Sequence, residues 1–338
     1  MRALFRKAVT SLLTLRLLDA KRAAHVAAYG LRKFLLRQKL PGTSVFALTF
    51  KCFCKCGCCA SGIFSDYFKD AMLPLEDAKR LIRKVAAAGT PRIHLTGGDP
   101  LAHKDLAAIA RLASELGLVT FVETSAVTMT EVTVLALKEA GVSSINISLD
   151  SSDPALHDAG RAVGGCFAHA AEMIRLCVKH GQPCMISTYA TRESIYGGDI
   201  FKLIAFAREA GCSGIRILAP QPSGNWIGNE AVILKKEDAD YLEARLPLFF
   251  PVYNRTPQID CPLKDGYKVF VLPDGNFAPC EHLPFIFKDS KDLDLAGLPA
   301  KINSYDFFRG EYACIPRSPE YRKQHPEVTK RGEGPIFL

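Results

Sequence analysis

Between residues 44 and 218 the chain repeats one unit, a short apolar run followed by a stretch with apolar residues three and four apart. The runs lie at 44–50, 91–95, 118–123, 143–149, 183–190 and 213–218, and the helical spacing at about 74–88, 104–116, 130–140, 164–180 and 197–210. Gly89, Gly117, Gly141, Gly181 and Gly211 each sit just past a helical stretch, where a left-handed residue closes the last turn. Strands separated by helices pair in parallel, because each crossover returns the chain to the same end of the sheet. The fold class expected is therefore α/β with a parallel sheet. Side chains at the carboxyl ends of such strands share one end of the molecule.

Those ends carry the chemistry. Leaving the first run, Lys51-Cys-Phe-Cys-Lys-Cys-Gly-Cys-Cys59 holds five cysteines, at 52, 54, 56, 58 and 59. Only Cys52, Cys56 and Cys59 satisfy C-x3-C-x2-C, since a register begun at Cys54 demands Cys at position 61, which is serine. Three thiolates on one loop can hold three corners of a cubane [4Fe–4S] cluster and leave the fourth iron open to a small molecule. A zinc site on Cys54, Cys56 and Cys59 is the alternative. Zinc modules usually add a second Cys or His pair about 12–20 residues further on, and none occurs between Cys59 and His94.

The flanking residues extend the reading. Thr49-Phe-Lys-Cys-x3-Cys-x2-Cys59, followed by Thr96-Gly-Gly-Asp-Pro-Leu101, resembles the radical S-adenosylmethionine (radical SAM) enzymes. Ser144–Asp150 with His157, Arg161 and Gly164–Phe167 is similar to that family's fourth strand and loop, and Ile215–Gly224 to its sixth strand. The resemblance implies a partial (β/α)6 TIM-like barrel over residues 44–225. It implies a [4Fe–4S] cluster on Cys52, Cys56 and Cys59, and S-adenosylmethionine contacts from Gly97, Gly98, Asp99, Pro100, Thr124, Ser148 and Asp150. His157 and Arg161 are further contact candidates. Asp99 stands where the family commonly has Glu, and Phe53 where many members have Asn. An electron donor such as flavodoxin or ferredoxin is implied as well.

Residues 226–338 leave the repeat. Tyr267–Cys280 reads as a hairpin turning at Asp274-Gly275. Cys261, Cys280 and Cys314 resemble a shortened SPASM/twitch extension, which implies one auxiliary iron–sulfur cluster with an open iron or His282 as fourth ligand.

Residues 1–43 form a basic helical extension. Its first 40 residues carry ten Lys or Arg against Asp19 alone, whereas the other 298 balance 33 bases with 34 acids. No apolar run approaches the length of a membrane span. The two readings are a helical pair packed on the barrel, or an interfacial anchor whose Lys/Arg face meets anionic lipid. The extension also reads as too short for a separate peptide-recognition domain. Basic residues without interleaved aromatics argue against nucleic acid. Cysteine usage and an oxygen-sensitive cluster point to the cytoplasm, with peripheral attachment at the inner membrane surface as an addition.

The function expected is reductive cleavage of S-adenosylmethionine to a 5′-deoxyadenosyl radical that abstracts hydrogen from a peptide or small metabolite. Alternatives are modification of a membrane lipid, or a non-catalytic iron–sulfur or zinc protein.

Overall fold

The computed structural model describes every residue except 1, 16, 17, 258–262, 264, 265, 311, 313 and 331–333. The six expected strands form: β1 Thr43–Thr49, β2 Arg92–Gly97, β3 Val119–Thr124, β4 Ser144–Ser148, β5 Cys184–Tyr189 and β6 Gly214–Leu218. They pair in parallel in sequence order, joined by helices Leu75–Ala87, Leu106–Glu115, Glu131–Glu139, Cys166–Lys179 and Asp199–Glu209. Three further strands, β7 Val252–Asn254, β8 Lys268–Val271 and β9 Phe277–Ala278, extend the same sheet, giving the order β7-β6-β5-β4-β3-β2-β1-β8-β9. The sheet does not close into a ring: β7 ends one edge, while β8 pairs in parallel with β1 and turns back into β9 at the other. This is the open, partial barrel of the expected α/β class.

The helices cover the outer face of the strands, and the interface between the two layers is the main apolar core. Leu81, Ile82, Ile93, Leu95, Ile109, Val122, Ile145, Ile147, Ile186, Ile215 and Ile217 are completely buried there. Cys177, Cys184 and Cys212, apart in sequence, meet in that core, where hydrogen bonding to Cys177 and Cys212 together with burial keeps the Cys184 thiol protonated. The alternate residues of the strands face the lumen and are polar: His94, Glu123, Asn146, Ser187 and Arg216.

Helices α1 (Arg2–Leu15) and α2 (Ala20–Gly30) pack on the barrel. The Arg22 guanidinium donates to the Gly141 and Leu118 carbonyls, Lys21 to Glu115, and the His25 Nε2 lies 3.0 Å from the Thr90 carbonyl oxygen. Glu115 and Gly141 end barrel helices, so these cations sit at the negative ends of helix dipoles. The charge excess of the extension is thus used in part against the protein. Among the described residues no helix is long and apolar enough to cross a membrane. Beyond β9, β10 (Phe285–Ile286) pairs with β11 (Ile336–Phe337).

Candidate functional site

The cysteine loop leaves β1 at the carboxyl end of the sheet and is held on four sides. Phe50 before it and Phe64 after it stack 6.0 Å apart in a small second core, to which Phe68, Phe270, Leu272 and Ile286 also belong. Strands from the carboxy-terminal third therefore brace the loop from outside. The Lys55 and Gly57 amides donate to the carbonyls of Arg161 and Gly160, at the end of helix Pro154–Arg161. From the loop after β6, the Asn225 amide donates to the Cys59 carbonyl at 2.9 Å and its side chain to the Cys56 carbonyl at 2.7 Å. Gly224, at φ +58°, allows this approach, since a Cβ there would overlap the Cys59 carbonyl oxygen. On the remaining side Ser61 Oγ donates to the Gly97 carbonyl at 3.2 Å.

Gly97 sits at φ +144°, and a Cβ would overlap the Thr49 carbonyl oxygen, so β1 and β2 approach as closely as backbone permits. The Asp99 carboxylate beyond it is buried and heavily engaged. It accepts from Leu101 N at 3.1 Å, Thr124 Oγ1 at 2.9 Å, Ser125 N at 2.9 Å and Ser125 Oγ at 2.6 Å. Asp99 and Thr124 thus tie the exit loops of β2 and β3 together.

Ser148 and Asp150 face the same end from β4. Asp150 pairs with Arg161 at 2.6 Å, and Arg161 Nη1 lies 3.6 Å from the Cys56 sulfur. Asp150 Oδ1 and Arg161 Nε are buried with no hydrogen-bond partner among the described residues. His157 accepts the Asp150 amide on Nδ1 and packs edge-on against Phe167, so it shapes the loop. Burial alone would depress the Arg161 guanidinium, but Asp150 and then the neighbouring thiols hold it charged.

The thiols differ. The hydrogen bond with Cys54 pulls Cys52 down, the same contact raises Cys54, and burial pushes Cys58 up to about 12 and Cys59 upward. Cys56 is raised by its hydrogen bond to Cys54 and then by burial, with Arg161 opposing. Among the described residues no three Cys, His, Asp or Glu side chains converge on one point. Ionising several of these thiols together requires positive charge beside them.

Below this end lies a network of side chains from five strands, β2 to β6. Arg216 clasps Glu123 with both Nη atoms, while His94 Nδ1 and Asn146 Nδ2 meet Glu123 Oε1 at 2.7 and 2.9 Å, and Arg216 also reaches Ser187. Burial alone would raise the Glu123 carboxyl, but Arg216, then His94 and Asn146, hold it down at about 2. Arg255 stands near enough to Arg92 and Arg216 that desolvation and their charges lower it. Strand periodicity could have placed these residues on the lumen side, but their partners come from different strands.

Of the carboxy-terminal cysteines, Cys261 lies outside the described residues. Cys280 is half-buried near Tyr321, and Tyr312, two residues before Cys314, packs edge-on against the same ring at 5.5 Å. His282 Nδ1 lies 3.0 Å from Ser223 Oγ, in the loop after β6.

With this geometry in place, comparison with known proteins is direct. Residues 47–194 match the family model of the Radical SAM superfamily. An AdoMet-dependent heme synthase of Oleidesulfovibrio alaskensis is 32% identical over 167 residues, which cover 49% of this chain and 42% of that one. A second, from Methanosarcina barkeri, is 28% identical over 276 residues, covering 73% and 78%. The chain therefore spans less than half of the first relative and about three quarters of the second. In fold, Streptococcus suis SuiB bound to S-adenosylmethionine superposes with a TM-score of 0.60 at 19% identity, covering 84% of this chain and 72% of that chain. The structure of anSMEcpe with bound AdoMet gives 0.58 at 14% identity, with 85% and 95% covered. Residues 47–194 therefore resemble a radical SAM domain, and the chain shares its fold with proteins solved with S-adenosylmethionine bound.

Proposed function

We propose that Cys52, Cys56 and Cys59 hold a [4Fe–4S] cluster and that Gly97–Pro100, Thr124, Ser148 and Asp150 line the S-adenosylmethionine site beside it. One observation carries the reading: Asp150 Oδ1 and Arg161 Nε, buried next to Cys56, lack partners among the described residues. A buried polar atom left unpaired costs about 1–3 kcal/mol, and two of them beside the cysteine loop favour a bound partner there. The donor set suits the group, being soft thiolates on a braced loop with one buried guanidinium nearby.

A bound cluster supplies one electron to cleave S-adenosylmethionine into methionine and a 5′-deoxyadenosyl radical, which abstracts hydrogen from a C–H bond. The chain's residues hold and enclose. Asn225 and the carbonyls of Gly160 and Arg161 fix the loop, Asp99 fixes the adjoining wall, and Phe50 and Phe64 keep water from its back. Arg161, donating toward Cys56, stabilises negative charge on that sulfur. A flavodoxin- or ferredoxin-type electron donor belongs to the same proposal. So does an auxiliary iron–sulfur cluster on Cys261, Cys280 and Cys314, supported by the placing of Cys280 and Tyr312 around one ring.

For substrate, we favour an anionic small molecule over a peptide. The relatives are named as heme synthases, and a heme-type macrocycle carries carboxylates. Arg92 and Arg216 both stand near Arg255, and Arg216 is paired with Glu123, so positive charge is in surplus there.

The deciding measurement is 5′-deoxyadenosine by mass spectrometry, after anaerobic reconstitution with iron, sulfide, S-adenosylmethionine and a strong reductant, with Cys56→Ala as control. Product from wild type alone supports the reading, and its yield should rise with a carboxylate-bearing tetrapyrrole. A cluster-loaded protein that neither binds S-adenosylmethionine nor forms product sinks it. Stimulation by a peptide instead sinks the substrate assignment alone.

A further inference from the structure

Helix α1 is docked with its polarity reversed. A helix on a protein surface ordinarily turns apolar residues inward. Here the residues buried most completely are Arg6, 2% exposed, and Thr10, 5% exposed, with Ala3, Val9 and Leu13 only half-buried. Arg6 is bound by Glu243 through two 2.8 Å contacts and donates to the Val252 carbonyl at 2.6 Å, while Arg2 donates to the Leu246 carbonyl. The residues turned outward are Leu4, Phe5 and Leu12, at 75, 51 and 68% exposed. The turn after α2 repeats the pattern. Arg32 and Lys33 turn back to the protein, with Lys33 lying 4.4 Å from the Tyr267 ring centre. Phe34, Leu35 and Leu36 project at 77, 71 and 57%.

Both apolar patches lie at one end of the barrel. Helix α1 anchors at Val252, the first residue of β7, and α2 at Thr90, Leu118 and Gly141, just before β2, β3 and β4. That is the amino-terminal end of the strands, opposite the cysteine loop. Exposed Lys7, Arg37 and Lys39 border the patches, and no acidic residue does so within residues 1–40 except Asp19, which is paired with Arg22.

We propose that this end of the barrel rests on a membrane surface containing anionic lipid. The six apolar side chains enter the boundary between headgroups and acyl chains, and Lys7, Arg37 and Lys39 meet the phosphates. Apolar groups flanked by cations at one level are what such a boundary binds, and what an aqueous surface disfavours. This differs from a basic face laid on lipid, because Arg2, Arg6, Lys21, Arg22 and Lys33 of the extension are turned to the rest of the protein. It also turns the cysteine loop away from the bilayer, so substrate reaches the site from the aqueous side.

Flotation of the full-length protein with vesicles tests this. Wild type should float with phosphatidylcholine vesicles containing phosphatidylglycerol, less with phosphatidylcholine alone, and less at high salt. The variants L4S/F5S/L12S and F34S/L35S/L36S should each float about tenfold less. Replacing exposed apolar residues elsewhere, as in V132S/L135S, should change nothing. Circular dichroism and thermal melts show that each variant is folded. Wild type that stays at the bottom of the gradient with both vesicles overturns the proposal, as do folded face variants that float like wild type. Wild type that is a dimer in solution, made monomeric by the face variants and never floating, assigns the face to a second copy and also overturns it.

Discussion

Two arginine–carboxylate pairs lie inside this barrel, and they are finished to different degrees. In the lumen, both Glu123 oxygens are engaged, Oε1 by His94, Asn146 and Arg216, and Oε2 by Arg216 again. Beside the cysteine loop, Asp150 and Arg161 meet at 2.6 Å, yet each keeps a buried atom without a partner among the described residues. A saturated network rigidifies a core, whereas a partly satisfied one raises the free energy until a ligand completes it. The first pair holds strands together. Under the proposed function, the second is completed by a bound ligand.

The sharpest test of that contrast is Glu123→Gln. Removing one partner of a buried ion pair leaves Arg216 uncompensated, so urea unfolding should show a loss of about 3–5 kcal/mol. A loss under about 1 kcal/mol would show that the lumen pair is not a strut.

The Asp150–Arg161 pair should instead reveal itself in the proposed cluster. Arg161→Gln removes a donor and positive charge from beside Cys56 and should lower the midpoint potential. Asp150→Asn removes the opposing negative charge and should raise it. Each shift should be about tenfold in the reduced-to-oxidised ratio, or about 59 mV for one electron. Shifts of the same sign, read by redox-poised electron paramagnetic resonance, would mean that the pair acts only through structure.

Gly97→Ala probes the backbone between the two sites. It places a side chain at φ +144° against the Thr49 carbonyl and should cost about 1–3 kcal/mol by thermal melting. An unchanged melt would show that β1 can yield there.

The smallest effect expected is on acid stability. Glu123 is held at about 2, below the ordinary 4.5, so its ionised form stabilises the fold. That contribution is complete above about pH 4.5 and is lost as pH falls toward 2. The stability gap between wild type and Glu123→Gln should be flat above pH 5 and narrow below 4.5. A gap that stays constant down to pH 2 would contradict the assignment.

What could be read in advance follows from range. Strand and helix spans were legible to within about three residues because apolar periodicity and helix-ending glycines are local. Cys52, Cys56, Cys59 and Gly97–Pro100 could be proposed from sequence because each set lies within a few residues. Asn225, Glu123 and Arg216 were not, since their importance depends on partners 93–169 residues away. His157 drew attention by position, and the structure gives it a loop-shaping contact with the Asp150 amide. Among the auxiliary cysteines, Cys261 lies outside the described residues.

By itself the sequence determined the α/β repeat, the parallel order of strands, the thiol spacing and the concentration of positive charge before the first strand. The tertiary structure decided which way that charge faces, which carboxylates are saturated, and that strands from beyond residue 225 join both edges of the sheet. The physical reason is that periodicity and spacing act within a few residues, whereas burial and pairing are settled only when distant segments of chain exclude water from one another.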